Sequence, residues 1–176
     1  WVAEYRARQR ERVARLDVVA RGYVAEQAHF RKVMGVEKEA GESRAMAGRQ
    51  GMLGRYMVTY RTLANPAFLD PGIDPSRRPL GSIFAPGDPI AGHYGPGGLG
   101  RVQTPRAWLS TWSGLSSRAD LYTTIARVRV PTLICYADGD TDVFPEDQRE
   151  MFARSAAADK EYVELPWADH YLRAVG

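Results

Sequence analysis

Three acidic residues follow an apolar run near the end of the chain, and a histidine follows the next candidate strand. The segment LICYADGDTDVFP places Asp138, Asp140 and Asp142 directly after its apolar residues, and the segment KEYVELP leads through a short turn to His170. A carboxylate beside a histidine fixes the imidazole tautomer and stabilises the imidazolium while the histidine deprotonates a nucleophile. These residue types predict nucleophilic catalysis, with Asp140 as the acid and His170 as the base.

The elements around these residues predict a parallel sheet. The run LICYA within VRVPTLICYA is continuously apolar and lies between Pro131 and an acidic turn, which predicts a strand buried on both faces. The segment PEDQREMFARSAAA predicts a helix from Pro145 with acids in its first turn, KEYVELP a second strand, and a final helix is expected after His170. Strand, helix and strand make a βαβ unit. Because functional groups gather at the carboxyl ends of parallel strands, Asp140 and His170 are expected at one rim.

The neighbouring acids and a metal site are the alternatives to this interpretation. Asp138 or Asp142 could take the place of Asp140, since a small change in the turn would bring either to the rim. The acids also imitate the start of a calcium loop, but Val143 stands at the sixth position instead of glycine and Arg149 at the twelfth instead of glutamate. We therefore expect no metal and no cofactor. Taken singly, an aspartate after a strand commonly caps a turn, and a loop histidine commonly lies at the surface.

The segment VPTLICYADGDTDVFP, followed after a helix by KEYVELPWADHYL, resembles the C-terminal end of an α/β-hydrolase. The resemblance covers about residues 128–172 and implies an α/β fold class, with the last two parallel strands of that fold and their flanking helices. It implies that Asp140 is the acid and His170 the base of a nucleophile–histidine–acid triad. Trp167 stands where the family commonly has glycine. The implied activity is hydrolysis of an ester, amide, thioester or lactone bond in a small-molecule substrate.

The nucleophile that this family requires is not found in the sequence. Its usual motif is Gly-x-Ser-x-Gly between a strand and a helix, and the nearest sequence, TWSGLSS, lacks the first glycine and a preceding strand. Two parallel strands alone make no stable sheet, and the chain begins with Trp1. We therefore expect the N-terminal half of the hydrolase, with a serine nucleophile, as a second polypeptide. An aspartate nucleophile for epoxide or haloalkane hydrolysis, or a non-catalytic binding subunit, are the alternatives.

The sequence before the strands predicts a cap. Residues 1–115 are assigned to a mainly helical cap or lid and 116–176 to the C-terminal part of the hydrolase core. The cap is predicted to contain one helix up to about Gly35, a second from Glu42 to Leu63, and a proline- and glycine-rich loop at 65–103 with little regular structure. Thr104 is the predicted N-cap of a following helix with Pro105 at its first position, and another helix is expected at about 117–126. The candidate substrate-contacting residues are His93, Tyr94, Trp112 and Trp167.

Composition and charge exclude several other classes of protein. The chain has 176 residues, 44% hydrophobic and 26% charged, which is typical of a soluble domain, and it contains no run long enough for a membrane span. The basic segment YRARQRERVAR is interleaved with acids, which favours a solvated helix face over a nucleic-acid surface. The single cysteine, Cys135, forms no intrachain disulfide and is expected to be a small buried hydrophobe. This favours a reducing, cytoplasmic location.

Overall fold

The computed structural model of the chain describes residues 1–36, 42–60 and 63–174. Over these ranges the fold is mixed α/β, with six α-helices and three small two-stranded sheets, one of them parallel. Along the same residues, none of the helices combines the length and the apolar character that a membrane crossing requires.

The helices and strands are short apart from the first helix. The α-helices are α1 (Val2–Val36), α2 (Glu42–Leu53), α3 (Pro89–Tyr94), α4 (Pro105–Ala107), α5 (Leu121–Ile125) and α6 (Pro145–Arg154). The strands are β1 (Met57–Val58), β2 (Gly81–Ser82), β3 (Ala85–Pro86), β4 (Val102–Gln103), β5 (Thr132–Ala137) and β6 (Lys160–Leu165). A 3-10 turn at Pro66–Phe68 and a π-helical turn at Trp108–Trp112 complete the set.

The chain divides into two compact units, at points that differ from the predicted boundary after residue 115. The first unit contains 3–62 and 99–119, and the second contains 63–98 and 120–176. Most of the proline- and glycine-rich segment therefore belongs with β5 and β6. The assignment of the preceding helices to a cap stays a prediction.

The first unit is built on α1, α2 and the antiparallel pair of β1 with β4. Its core contains Ala20 of α1, Met57 of β1 and Trp108 of the π-helical turn. The second helix was predicted to run to Leu63 and this was wrong, because α2 ends at Leu53 and Gly54 takes the left-handed conformation with φ +50°. Glycine in that conformation is a common helix terminator.

The start of α4 follows the predicted capping pattern. The side chain of Thr104 accepts a hydrogen bond from the backbone N–H of Ala107 at 3.2 Å, and Pro105 occupies the first helical position. Both features were predicted and are confirmed. The helix expected at about 117–126 is shorter, since α5 begins after Asp120, whose carboxylate accepts from the N–H groups of the first turn.

A buried carboxylate ties α1 to the end of the first unit. Asp17 is 7% exposed, accepts a hydrogen bond from Trp108 Nε1 at 2.7 Å, and also accepts one from the Ser116 hydroxyl. Burial alone would raise the pKa of Asp17, but the hydrogen bonds from Ser116, Ser113 and Trp108 together hold it below its usual value. The carboxylate is therefore more stable in the folded unit than in the unfolded chain.

We expect Asp17 to make the stability of the chain depend on pH in acid. A carboxyl with a lowered pKa in the folded state stabilises the fold above its ordinary pKa, and this contribution disappears as the pH falls through the folded value. The difference in free energy of unfolding between the wild type and Asp17→Asn should therefore shrink below about pH 4. Urea unfolding from pH 3 to pH 7 measures this difference, with the Trp108 indole N–H resonance as the local reporter. A difference that does not change with pH would contradict the prediction.

The second unit contains the parallel pair of β5 and β6. The register runs from Thr132 opposite Lys160 to Ala137 opposite Leu165, and α6 connects the two strands. The predicted strand, helix and strand are confirmed.

The prediction that the first of these strands is buried on both faces was wrong. Ile134 and Tyr136 are buried, whereas Leu133 is 60% exposed. Side chains alternate between the faces of a strand, so one face of β5 is covered while the other is open at Leu133. Among the described residues, β5 pairs with no strand other than β6, and its second edge is open as well.

The proline- and glycine-rich segment is ordered, with only short regular elements. The buried guanidinium of Arg78 donates hydrogen bonds to the backbone carbonyls of Asp74 at 2.5 Å and Ile73 at 2.7 Å, and lies 4.8 Å from the ring centre of Phe144. The Asp74 carboxylate accepts from the backbone N–H of Glu146 at 2.6 Å and so caps the start of α6. The segment is therefore held from within by one arginine and is joined to the helix that follows β5.

Candidate active site

Asp140 and His170 meet beyond the ends of β5 and β6. Nδ1 of His170 lies 3.0 Å from Oδ1 of Asp140 and 3.0 Å from Oδ2. The Asp140 side chain is 9% exposed and the His170 side chain 31%. The buried carboxylate of Asp140 thus contacts Nδ1 of His170, and the His170 side chain is partly exposed to solvent. In the described part of the chain, no group hydrogen-bonds to Nε2 of His170.

The turn after β5 fixes the Asp140 carboxylate. Its Oδ1 accepts hydrogen bonds from the backbone N–H groups of Asp142 at 2.8 Å and Val143 at 3.2 Å, and its own N–H donates to the carbonyl of Ala137 at 3.1 Å. An aspartate that bonds to the backbone two residues further on is typical of a turn. The turn therefore sets the orientation in which Asp140 faces the histidine.

Asp138, the first alternative acid, bonds to groups other than His170. It is buried, its Oδ1 accepts from the backbone N–H of Trp167 at 2.6 Å, and its Oδ2 accepts from the Arg77 guanidinium. The same guanidinium lies 4.7 Å from the ring centre of Trp167. We call Arg77, Asp138 and Trp167 the turn clamp, because they hold the turn that leads to His170.

The turn clamp accounts for an unfavourable backbone conformation. Trp167 has φ +58°, in the left-handed region that favours glycine. The hydrogen bond from the Trp167 N–H to Asp138 and the stacked guanidinium of Arg77 stabilise this conformation. A further hydrogen bond of 3.0 Å, from the Gly139 N–H to the Ala168 carbonyl, joins the turn after β5 directly to the turn after β6.

We expect Asp138→Asn to lower the free energy of unfolding by about 1–3 kcal/mol. The side-chain oxygen of asparagine can still accept from the Trp167 N–H, but its NH₂ group then faces the donor groups of Arg77. Urea unfolding of Asp138→Asn, Arg77→Met and the double variant measures the coupling between the two side chains. The double variant should be more stable than the sum of the single effects predicts, by about 0.5 kcal/mol or more. Strictly additive effects would show that the clamp does not act as a unit.

Asp142, the second alternative acid, fixes a different part of the loop. Its Oδ2 accepts from the backbone N–H of Ile83 at 2.8 Å and from the Thr141 hydroxyl at 2.9 Å. Asp142 therefore joins the acidic turn to the hairpin of β2 and β3. Of the three acids, Asp140 is the one whose carboxylate contacts His170.

The final helix expected after His170 is not formed by the described residues. Asp169 instead accepts from the backbone N–H groups of Tyr171 at 2.8 Å and Arg173 at 3.0 Å, and Ala168 pairs with Ala174 in an isolated antiparallel bridge. Hydrogen bonds from an aspartate to nearby backbone groups compete with helix formation. His170 therefore lies in a compact turn.

A cavity of about 470 Å³ lies beside His170 within the second unit. One wall comes from the turns after β5 and β6, and the other comes from the hairpin segment. The lining residues are Pro79, Leu80, Ser82, Ile83, Pro86, Gly87, Gly139, Thr141, Asp169, His170, Tyr171 and Arg173. The sequence predicted a proline- and glycine-rich loop at 65–103, but it did not identify residues 79–87 as a cavity wall, because their contact with the acidic turn depends on the hydrogen bond from Ile83 to Asp142.

The candidate substrate-contacting residues are not among those that line this cavity. His93 and Tyr94 lie on α3, where His93 is buried and Tyr94 exposed. Trp112 packs against the core of the first unit, and Trp167 is 58% exposed under the guanidinium of Arg77. Their assignment to substrate contact stays a prediction.

The serine of the segment nearest to the nucleophile motif has a structural role. Ser113, in the segment TWSGLSS, is fully buried, and its hydroxyl accepts from the N–H groups of Leu115 at 3.2 Å and Ser116 at 3.1 Å. Ser113 is the residue that ends the π-helical turn. Cys135 lies within β5 and is only partly buried, so the expectation that it is fully buried was wrong.

In the described ranges, no group of three or more histidine, cysteine, aspartate or glutamate side chains is placed to hold a metal ion. Comparisons of the chain with protein-family models, with curated proteins and with solved structures found no match.

Proposed function

We propose that this chain supplies the acid and the base of a nucleophile–histidine–acid triad, in an α/β-hydrolase-type enzyme that cleaves an ester, amide, thioester or lactone. The observation that carries the proposal is the contact of 3.0 Å between His170 Nδ1 and the Asp140 carboxylate, formed after two neighbouring parallel strands. Asp140 is the acid and His170 the general base.

The proposed reaction uses the two nitrogens of His170 differently. The Asp140 carboxylate accepts a hydrogen bond from Nδ1–H and stays ionised. This fixes the tautomer in which the lone pair of Nε2 is free to take the proton of an attacking serine hydroxyl. The serine oxygen then bonds to the substrate carbonyl carbon, and the imidazolium is stabilised by the neighbouring carboxylate. His170 returns the proton to the leaving group, and water releases the acyl group by the same steps in reverse order.

The open side of β5 supports the proposal that the nucleophile lies on another polypeptide. Leu133 and Val130 are more than half exposed, and one edge of β5 has unpaired backbone groups in the described part of the chain. Parallel sheets normally have both faces covered and more than two strands. We therefore propose that the N-terminal half of the hydrolase adds strands at this edge and brings the serine to His170.

Labelling with a fluorophosphonate tests the proposal. The natively purified protein is treated with the probe, denatured and analysed by mass spectrometry, in parallel with a His170→Ala preparation. We expect a labelled serine on a second polypeptide in the wild type and strongly reduced labelling in the variant. A single unlabelled chain of 19.6 kDa that folds and remains monomeric would contradict the proposal and favour a non-catalytic binding subunit.

A further inference from the structure

We propose that the cavity beside His170 binds an uncharged, apolar group of the substrate, such as a medium-length acyl chain. This inference rests on the proposed function for the identity of the substrate, while the binding site itself rests on the cavity. Its volume of about 470 Å³ lies in the range of small-molecule sites.

The hairpin wall of the cavity is apolar. Pro79, Leu80, Ile83 and Pro86 line this side, and Tyr171 adds an aromatic ring next to His170. An apolar group that enters the cavity removes both its own surface and these side chains from water, and burial of apolar surface is favourable. The wall therefore selects for apolar substrate groups by burial.

The charged residues of the lining are paired with each other. Arg173 donates to Oδ2 of Asp169 from Nε at 2.9 Å and from its terminal nitrogen at 2.6 Å, and its guanidinium lies 4.9 Å from the ring centre of Tyr171. Asp169 also accepts two backbone hydrogen bonds. Because this pair is neutral as a whole, the cavity offers no unbalanced charge to a carboxylate or an ammonium group. A charged group would lose its hydration without gaining an ionic partner.

The apolar wall is fixed relative to the acidic turn. The backbone N–H of Ile83 donates to Asp142 at 2.8 Å, two residues after the acid that contacts His170. Gly81 has φ +107°, and a Cβ atom there would lie 2.4 Å from the carbonyl oxygen of Ala85, so the hairpin needs glycine at this position. A substrate group held on Ile83 is thus placed next to the proposed base.

Binding of 1-octanol and octanoate to the natively purified protein tests the site independently of turnover. We expect 1-octanol to bind at least about tenfold more tightly than octanoate in isothermal titration, since only octanoate carries an unpaired charge. The variants Ile83→Ser and Leu80→Ser should each weaken 1-octanol binding about tenfold. Leu80 is partly exposed, so its replacement keeps the test valid if Ile83→Ser does not fold. Leu121→Ser, an exposed leucine on α5 outside the cavity, should leave binding unchanged.

The same titrations on His170→Ala separate this inference from the proposed function. Retained 1-octanol binding with lost hydrolysis of p-nitrophenyl octanoate supports both. Equal binding of 1-octanol by the wild type and both serine variants, or equal binding of octanol and octanoate, would overturn the apolar site even if turnover depends on His170. Specific 1-octanol binding in a wild type that hydrolyses no ester and reacts with no fluorophosphonate would leave the apolar site in place and reject the hydrolase.

Discussion

His170→Ala is expected to lower kcat for ester hydrolysis by at least about 10⁴-fold. The variant removes the group that takes the proton from the nucleophile and returns it to the leaving group, and no other described side chain contacts Asp140 Oδ2 in its place. The measurement is the hydrolysis of p-nitrophenyl esters by the complete protein as purified. His170 is partly exposed in a turn, so the fold should survive the change, and far-UV circular dichroism checks this.

His29→Ala is the matched control for this substitution. His29 lies exposed on α1 in the first unit, and its replacement makes the same chemical change at a residue that is not part of the second unit. Its kcat should stay within about threefold of the wild type, as expected of a surface position. Wild-type turnover by His170→Ala would show that the contact with Asp140 is structural and would reject the triad.

Asp140→Asn is expected to lower kcat by about 10⁴-fold near neutral pH with little change in structure. Oδ1 of Asp140 accepts from two backbone N–H groups, so an asparagine must keep its oxygen there and place its NH₂ group at the position of Oδ2. That position is also 3.0 Å from Nδ1 of His170. The NH₂ group would donate to Nδ1, which puts the ring proton on Nε2 and removes the lone pair that the base needs.

Asp159→Asn and Asp142→Asn complete this test. Asp159 lies exposed before β6, and its replacement should leave kcat unchanged. Asp142 contacts Ile83 and not His170, so its replacement should act mainly on KM through the cavity wall. Loss of kcat in Asp142→Asn, together with normal kcat in Asp140→Asn, would show that the acid was assigned to the wrong residue.

The contact between Asp140 and His170 could be predicted from the sequence because it depends on local patterns. Two candidate strands joined by a helix pair in parallel, and the residues just beyond their carboxyl ends meet. The structure has this pairing from Thr132 to Ala137 and brings the two side chains to 3.0 Å. The catalytic role of the pair is a proposal and is not given by the contact alone.

The parts of the site that could not be predicted depend on residues distant in the sequence. The ion pair of Asp138 with Arg77 and the hydrogen bond from Ile83 to Asp142 each join the acidic turn to a segment about sixty residues earlier. Single-sequence patterns describe neighbours along a helix or strand and carry no signal for such contacts. For the same reason, the exposure of Leu133 was missed, since an apolar run does not show which of its faces another strand or helix covers.

The arginine inside the proline- and glycine-rich segment has a consequence for how pH profiles should be interpreted. The charged guanidinium of Arg78 is surrounded by uncharged backbone carbonyl oxygens, which accept its hydrogen bonds. Arginine stays protonated throughout the range in which enzymes are assayed, so these hydrogen bonds of Arg78 persist in mildly acidic and in mildly alkaline solution. The turn at residues 73–78 should therefore keep its shape across that range. A bell-shaped rate profile for the proposed activity would then not come from loss of the Arg78 charge, whereas the Asp142 carboxylate that holds Ile83 can contribute to it.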